Sequence, residues 1–179
     1  MNQYAVMTGS EESDMRNVLY VIVGLGGVCA VLRLIVSGIY RSLIQEAVQM
    51  CKSGHPLMKM LLKKFETCYQ LKMGVENVEI FVDKYLNRYK TAGIHLYTWE
   101  IAGDAAFGVT LLASLLADLY ITMASYDRQT VLEFLLGGIA VCGMLILEDV
   151  LLNVRFKRQR LMVEIRDYLE NIYKPRLEN

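Results

Sequence analysis

Acidic side chains stand at intervals within two long apolar stretches of this sequence, Asp104 and Asp118 in the first, with Glu100 near the same stripe, and Glu133 and Glu148-Asp149 in the second. Carboxylates brought together in a poorly hydrated setting cannot all ionise cheaply, so neighbours share a proton or bind a cation. Asp104 and Asp118 are separated by four helical turns less about 40°, which places both on one helix face. If the two stretches run antiparallel, Asp118 and Glu133 fall at similar depth, as do Asp104 and Glu148. The chemistry this arrangement offers is an acid pair at each mouth of an ion pathway. The alternative, which we favour, is that the acids end the apolar stretches and are hydrated there. Residues 105–117 and 134–147 hold no charge, and only Thr110 and Ser114, at i and i+4, offer a polar step between the pairs.

No other residue pattern points to catalysis. His55 sits beside Pro56 at a helix break and His95 precedes Tyr97 and Trp99; neither has a Ser, Cys or acid at nucleophile or metal spacing. Cys29, Cys51, Cys68 and Cys142 are scattered without a CxxC pair, so they are expected to be packing residues, with no disulfide framework and no metal site. Gly24-Leu25-Gly26-Gly27 follows no strand and precedes no Lys-Ser/Thr, so it reads as helix packing and not as a phosphate loop. We expect no enzymatic activity and no cofactor.

The elements that would position the acids are membrane spans. Of the 179 residues 54% are hydrophobic, above the roughly 45–50% usual for soluble domains. Three apolar stretches are long enough to cross about 30 Å of hydrocarbon: 18–40, 100–124 and 130–153. Glu11, Glu12 and Asp14 precede the first, with no basic n-region, which argues against a cleaved signal peptide. Residues 125–129 suffice only for a tight turn, making the second and third spans an antiparallel hairpin.

Orientation follows from the basic residues, which are retained on the cytoplasmic side. Only Arg16 precedes the first span and only Arg128 lies in the turn. Segment 41–99 holds nine Lys and Arg, and the tail 154–179 holds seven. Residues 1–17 are therefore expected outside and both basic segments in the cytoplasm. Lys plus Arg equals Asp plus Glu at 19 each, so nothing recommends a nucleic-acid partner. Arg33, inside the first span, is expected to snorkel to the headgroups or, as the alternative, to pair with an acid such as Asp104. Arg155, Lys157, Arg158 and Arg160 are expected to form a collar on anionic headgroups, and Trp99 and Tyr97 an interfacial belt.

The cytoplasmic segments read as amphipathic helices. Leu43, Ile44, Ala47, Val48 and Cys51 continue the first span until Ser53-Gly54-His55-Pro56. A second helix carries Leu57, Leu61, Phe65, Cys68 and Tyr69 on one face and ends at Gly74; a third carries Val78, Val82, Tyr85, Leu86 and Tyr89 to about Lys90. In the tail, Leu161, Ile165, Tyr168, Leu169 and Ile172 repeat the pattern, and the third span is expected to continue unbroken until Pro175 stops it. Such stripes can be buried only against one another or against a partner. The fold class is thus an all-α membrane protein, with three transmembrane helices, a cytoplasmic helical subdomain and a helical C-terminal tail.

The run Leu62-Lys63-Lys64-Phe65-Glu66-Thr67-Cys68-Tyr69, with Gly74-Val75-Glu76-Asn77-Val78 and Phe81-Val82-Asp83-Lys84-Tyr85, resembles a signature of small uncharacterised membrane proteins of clostridial-type Firmicutes. That resemblance covers mainly 57–99 and implies no activity. In topology the chain also resembles, loosely, the MotA/TolQ/ExbB stators, which implies an oligomeric proton channel around a partner's single helix. Their external connection is longer and their glycine, proline and threonine pattern is absent here, so no residue role is carried over. The expectation is a membrane subunit that forms homo-oligomers and binds a partner through its cytoplasmic helices. The rival is a channel subunit, with a single-span membrane partner, using Asp104, Asp118, Glu133 and Glu148.

Overall fold

The computed structural model describes residues 2–71, 75–123 and 128–178. The expected helix end at Gly74 and most of the turn at 125–129 lie outside them. The chain is all-α apart from one two-residue ladder. Its elements are α1 (Asn2–Val48), α2 (Pro56–Gln70), α3 (Val78–Arg88), β1 (Lys90–Thr91), β2 (Ile94–His95), α4 (Leu96–Met123), α5 (Arg128–Leu152), α6 (Val154–Asp167), a π-helical turn (Tyr168–Tyr173) and α7 (Lys174–Glu178). By length and composition α1, α4 and the helical stretch beginning with α5 are able to cross a membrane. Helix α1 starts well before the apolar run at Val18, and at 1.5 Å per residue its 47 residues extend about 70 Å.

The chain divides into two compact units, Met1–Arg33 with Ala102–Leu151, and Leu34–Ile101 with Leu152–Asn179. In the second, the amphipathic stripes meet in one core. Tyr40, Leu43 and Ala47 come from α1, Leu57, Leu61 and Phe65 from α2, Val78, Val82 and Leu86 from α3, and Leu161, Ile165 and Leu169 from α6 and the π turn. All lie at i, i+3/i+4 spacing, and burying each large one contributes about 1.5–3 kcal/mol. Trp99 is partly buried against this core and its Nε1 donates to the Thr91 carbonyl at 3.3 Å.

Local sequence sets the helix starts. The His55 Nδ1 accepts from Leu57 N–H (3.3 Å) with Pro56 in the first turn, the Asn77 Oδ1 from Ile80 N–H (3.0 Å), and the Asn153 Oδ1 from Phe156 N–H (3.2 Å). Each satisfies an amide that the helix cannot. Beyond α3, where only a helix end was expected, Lys90 pairs with His95 and Thr91 with Ile94 across Ala92 and Gly93, both at positive φ as a tight hairpin requires.

The unbroken helix expected from the third span to Pro175 is not what forms. Asn153 adopts a left-handed conformation (φ 38°, ψ 58°), ending α5 and capping α6 in one residue. Asparagine tolerates this region better than other side-chain-bearing residues, and its short amide supplies the cap. Nor does Pro175 terminate the chain's helicity: it lies in the first turn of α7, where no intrahelical amide is needed, directly after the π turn.

The first unit is built differently. Its buried apolar cluster is small, Ile22, Ile121 and Phe134, with Leu19, Ala117, Val131 and Val141 packed around it. Small residues set the close approaches. A Cβ on Gly26 would lie 3.1 Å from Val141 Cγ1, one on Gly137 3.2 Å from Leu19 Cδ1, and one on Gly138 2.9 Å from Ser114 Oγ. By contrast Gly24, Gly27 and Gly143 have nothing within 4 Å.

Candidate functional site

The first unit is organised around Arg33. Its side chain is 8% exposed; Nη1 donates to Asp149 Oδ1 at 2.6 Å and Nη2 to Asp104 Oδ1 at 3.4 Å. Phe107, one turn from Asp104 on α4, presents its ring 4.7 Å from the guanidinium carbon, a cation–π distance. Gly103 makes room, since a Cβ there would touch Arg33 Cγ at 3.5 Å. Arginine does not lose its proton in proteins, so burial forces pairing, and three helices meet on one fixed charge. Pairing, and not snorkelling, is therefore the fate of Arg33. One cation between two carboxylates leaves a formal charge of −1, carried by acids that are 64% and 60% exposed.

The candidate acids lie in different settings. Asp104 shares Arg33 with Asp149, the neighbour of Glu148, while Glu148 holds its Oε1 buried with no partner among the described residues. Glu133 is exposed and makes no ion pair or hydrogen bond among the described residues. Asp118 lies against Gly138, its carboxylate oxygens 3.6 and 3.7 Å from where a Cβ would be, with Oδ1 buried and unpartnered. Thr110 and Ser114 are buried on the same face of α4, and Thr110 Oγ1 donates to the Ala106 carbonyl at 2.8 Å. What the structure does gather is a short polar stripe, Thr110, Ser114 and Asp118, inside an apolar helical unit.

The second unit has its own half-buried charge. Arg158 donates to Asp83 (2.8 Å), to Asn87 (2.8 Å) and to Glu100 (3.4 Å), and Tyr40 donates to the other Glu100 oxygen. Burial pulls the Arg158 guanidinium towards neutrality, but Glu100, Tyr40 and Asp83 more than offset that and hold it above its ordinary pKa, so it stays charged. This corrects its assignment to the headgroup collar. Lys157 is half-buried and donates to Ser37 Oγ at 2.5 Å. Arg155 is exposed, and Arg160 makes only an i,i+4 pair with Glu164 at 3.8 Å. The signal for Arg158 was present in its spacing, since it stands at i−3 and i−7 to the core residues Leu161 and Ile165. For Asp149 no such signal existed, because which of two adjacent acids faces Arg33 depends on helix rotation.

Both histidines are accounted for structurally. His55 caps α2 and its Nε2 lies 3.3 Å from the Tyr89 hydroxyl, and His95 is in β2. The four cysteines are free thiols. Among the described residues no three His, Cys, Asp or Glu side chains converge to hold a metal ion.

Fold and geometry together define the class only coarsely: an all-α chain with three helices long and apolar enough to span a membrane, two of which bring acids to a buried arginine on the other. No protein-family model, curated protein or solved structure matches it.

Proposed function

We propose that the chain is a non-enzymatic integral membrane subunit, with its N-terminus outside and its C-terminus in the cytoplasm, that oligomerises and binds a partner through its cytoplasmic helices. The observation that carries this reading is the inverted surface of the first unit. Val21, Val28, Leu112, Leu115, Leu136 and Ile139 point outward, while Arg33, Thr110 and Ser114 are buried. A soluble monomer rarely exposes a contiguous apolar surface beyond a few hundred Å², and hydrocarbon is the solvent that suits it. Gly24, Gly27 and Gly143, which no neighbour approaches, give helix faces on which a second copy can pack closely.

Crosslinking in native membranes, followed by native mass spectrometry in mild detergent, tests the oligomer. A defined multimer, weakened by Gly27→Leu, is the expected result; a monomer under both conditions contradicts it.

One observation favours the second reading, a proton or cation channel subunit. Asp118 Oδ1 is buried without a partner at the end of the Thr110–Ser114 stripe, as a proton-accepting group would be. Arg33, a fixed positive charge held by Asp104 and Asp149, opposes cation passage on that face. Proton flux into proteoliposomes that Asp118→Asn abolishes would replace the first reading by the second, and no flux from the wild type, alone or with its partner, would eliminate the channel.

A further inference from the structure

A cleft of about 680 Å³ opens in the second unit between the end of α1 and the start of α6. That is within the size range of sites that hold small ligands. Its wall carries three cations, Arg41, Lys157 and Arg160, and no acid lines it. Ile44, Val48 and Phe156 give the same cleft an apolar side, and Val48 and Phe156 are more than half exposed there.

The three cations are not spent on one another's neighbours. Arg41 makes no ion pair or hydrogen bond among the described residues. Arg160 has only its loose pair with Glu164 at 3.8 Å, with Arg160 itself 58% exposed, and such solvent-accessible pairs contribute little. Lys157 gives one N–H to Ser37 and retains two. The first turn of the 14-residue α6 adds the positive end of a helix dipole to the same place. Positive charge, two bidentate-capable guanidinium groups and an adjoining apolar wall fit a phosphate joined to a hydrocarbon.

We propose that this cleft is a binding site for an anionic phospholipid, its headgroup phosphate held by Arg41, Lys157 and Arg160 and its apolar portion lying along Ile44, Val48 and Phe156. The proposal rests on the membrane reading above, under which Arg41 directly follows the first span and Lys157 and Arg160 lie within two turns of the end of the third. It differs from a general basic collar in excluding Arg155 and Arg158, the first exposed and outside the cleft, the second consumed by Asp83, Asn87 and Glu100.

The test uses the full chain in neutral detergent, with native mass spectrometry as the readout and phosphatidylglycerol and phosphatidylcholine of identical acyl chains as probes. Phosphatidylglycerol is expected to remain bound in preference to phosphatidylcholine, and the Arg41→Gln/Arg160→Gln variant to lose about tenfold in affinity for it. Arg155→Gln is the surface-charge control and is expected to bind as the wild type does. Val48→Asp, an acid introduced at an exposed position, should produce the same loss if the double variant is poorly folded by circular dichroism. Equal binding of the two lipids overturns the proposal, as does a loss in Arg155→Gln equal to that in the double variant. Inorganic phosphate that displaces the lipid at matched concentration would make the ligand a free anion and overturn the lipid assignment. Alkaline carbonate extraction separates the two levels: release from membranes overturns the membrane reading and this site with it, whereas retention without lipid preference overturns the site alone.

Discussion

The two units of this chain solve opposite problems with the same element. In residues 34–101 and 152–178 each helix buries its apolar stripe, so that Phe65, Leu57, Leu61, Leu161 and Ile165 have no exposed surface and the charged residues face outward or close a network around Arg158. In the first unit many large apolar side chains, Val21, Leu115 and Ile139 among them, face outward, while Arg33, Thr110 and Ser114 are buried. Only 22, 17 and 11% of the most apolar windows of the three long helices is buried within the chain, too little for the hydrophobic effect in water to hold them together. What replaces it is close approach at Gly26, Gly137 and Gly138 and one shared charge at Arg33. The difference teaches that the first unit owes its cohesion to side chains seated against glycines and to ion pairing, and the second to a hydrophobic core.

The comparison can be broken by substitution. Phe65→Ala and Leu161→Ala each empty a fully buried site in the second unit and should cost about 3–5 kcal/mol, read as a lowered thermal midpoint in detergent. Leu115→Ala in the first unit, 69% exposed, should leave that midpoint within about 0.5 kcal/mol. Equal losses at the two kinds of position would erase the distinction.

Arg33→Met is expected to cost about 2–3 kcal/mol, below the full penalty for breaking a buried pair because both carboxylates reach solvent. Adding Asp104→Asn and Asp149→Asn should restore part of it, since the penalty comes from acids left without their cation. No recovery in the triple variant would mean that Arg33 acts through packing on Phe107. Arg158→Met should cost less, about 1–2 kcal/mol, and Asp83→Asn on that background should add almost nothing, as a double-mutant cycle would reveal. Asn153→Ala, which loses the cap and must hold a left-handed conformation, is expected at about 1–2 kcal/mol, and Asn153→Gly at a few tenths; the ordering of the two, by urea titration, checks the break between α5 and α6.

Periodicity carried much of this into view before any coordinates. The stripes Leu57, Leu61, Phe65 and Val78, Val82, Leu86 are one-dimensional patterns, and each is buried at the spacing that announces it. The three long apolar helices are likewise a matter of counting. What periodicity does not carry is rotation and partner choice. Whether Glu148 or Asp149 meets Arg33 turns on about 100° of helix rotation, which packing of α1, α4 and α5 decides. The break at Asn153 hides in a stretch whose apolar pattern runs through it, because a single left-handed residue leaves the flanking stripes intact. Composition cannot place Arg158 either, since a basic cluster has the same composition whether it faces headgroups or Asp83 and Glu100.

The central proposal, that three helices place position 128 outside and position 51 inside a membrane, is open to one direct measurement. In a chain whose other cysteines are replaced, the exposed native Cys51 and an Arg128→Cys substitution are each labelled with a membrane-impermeant maleimide in intact cells and again after permeabilisation. The expected result is that position 128 labels in intact cells while Cys51 labels only once the membrane is opened. Labelling of Cys51 in intact cells, or the same response at both positions, would contradict the three-span topology.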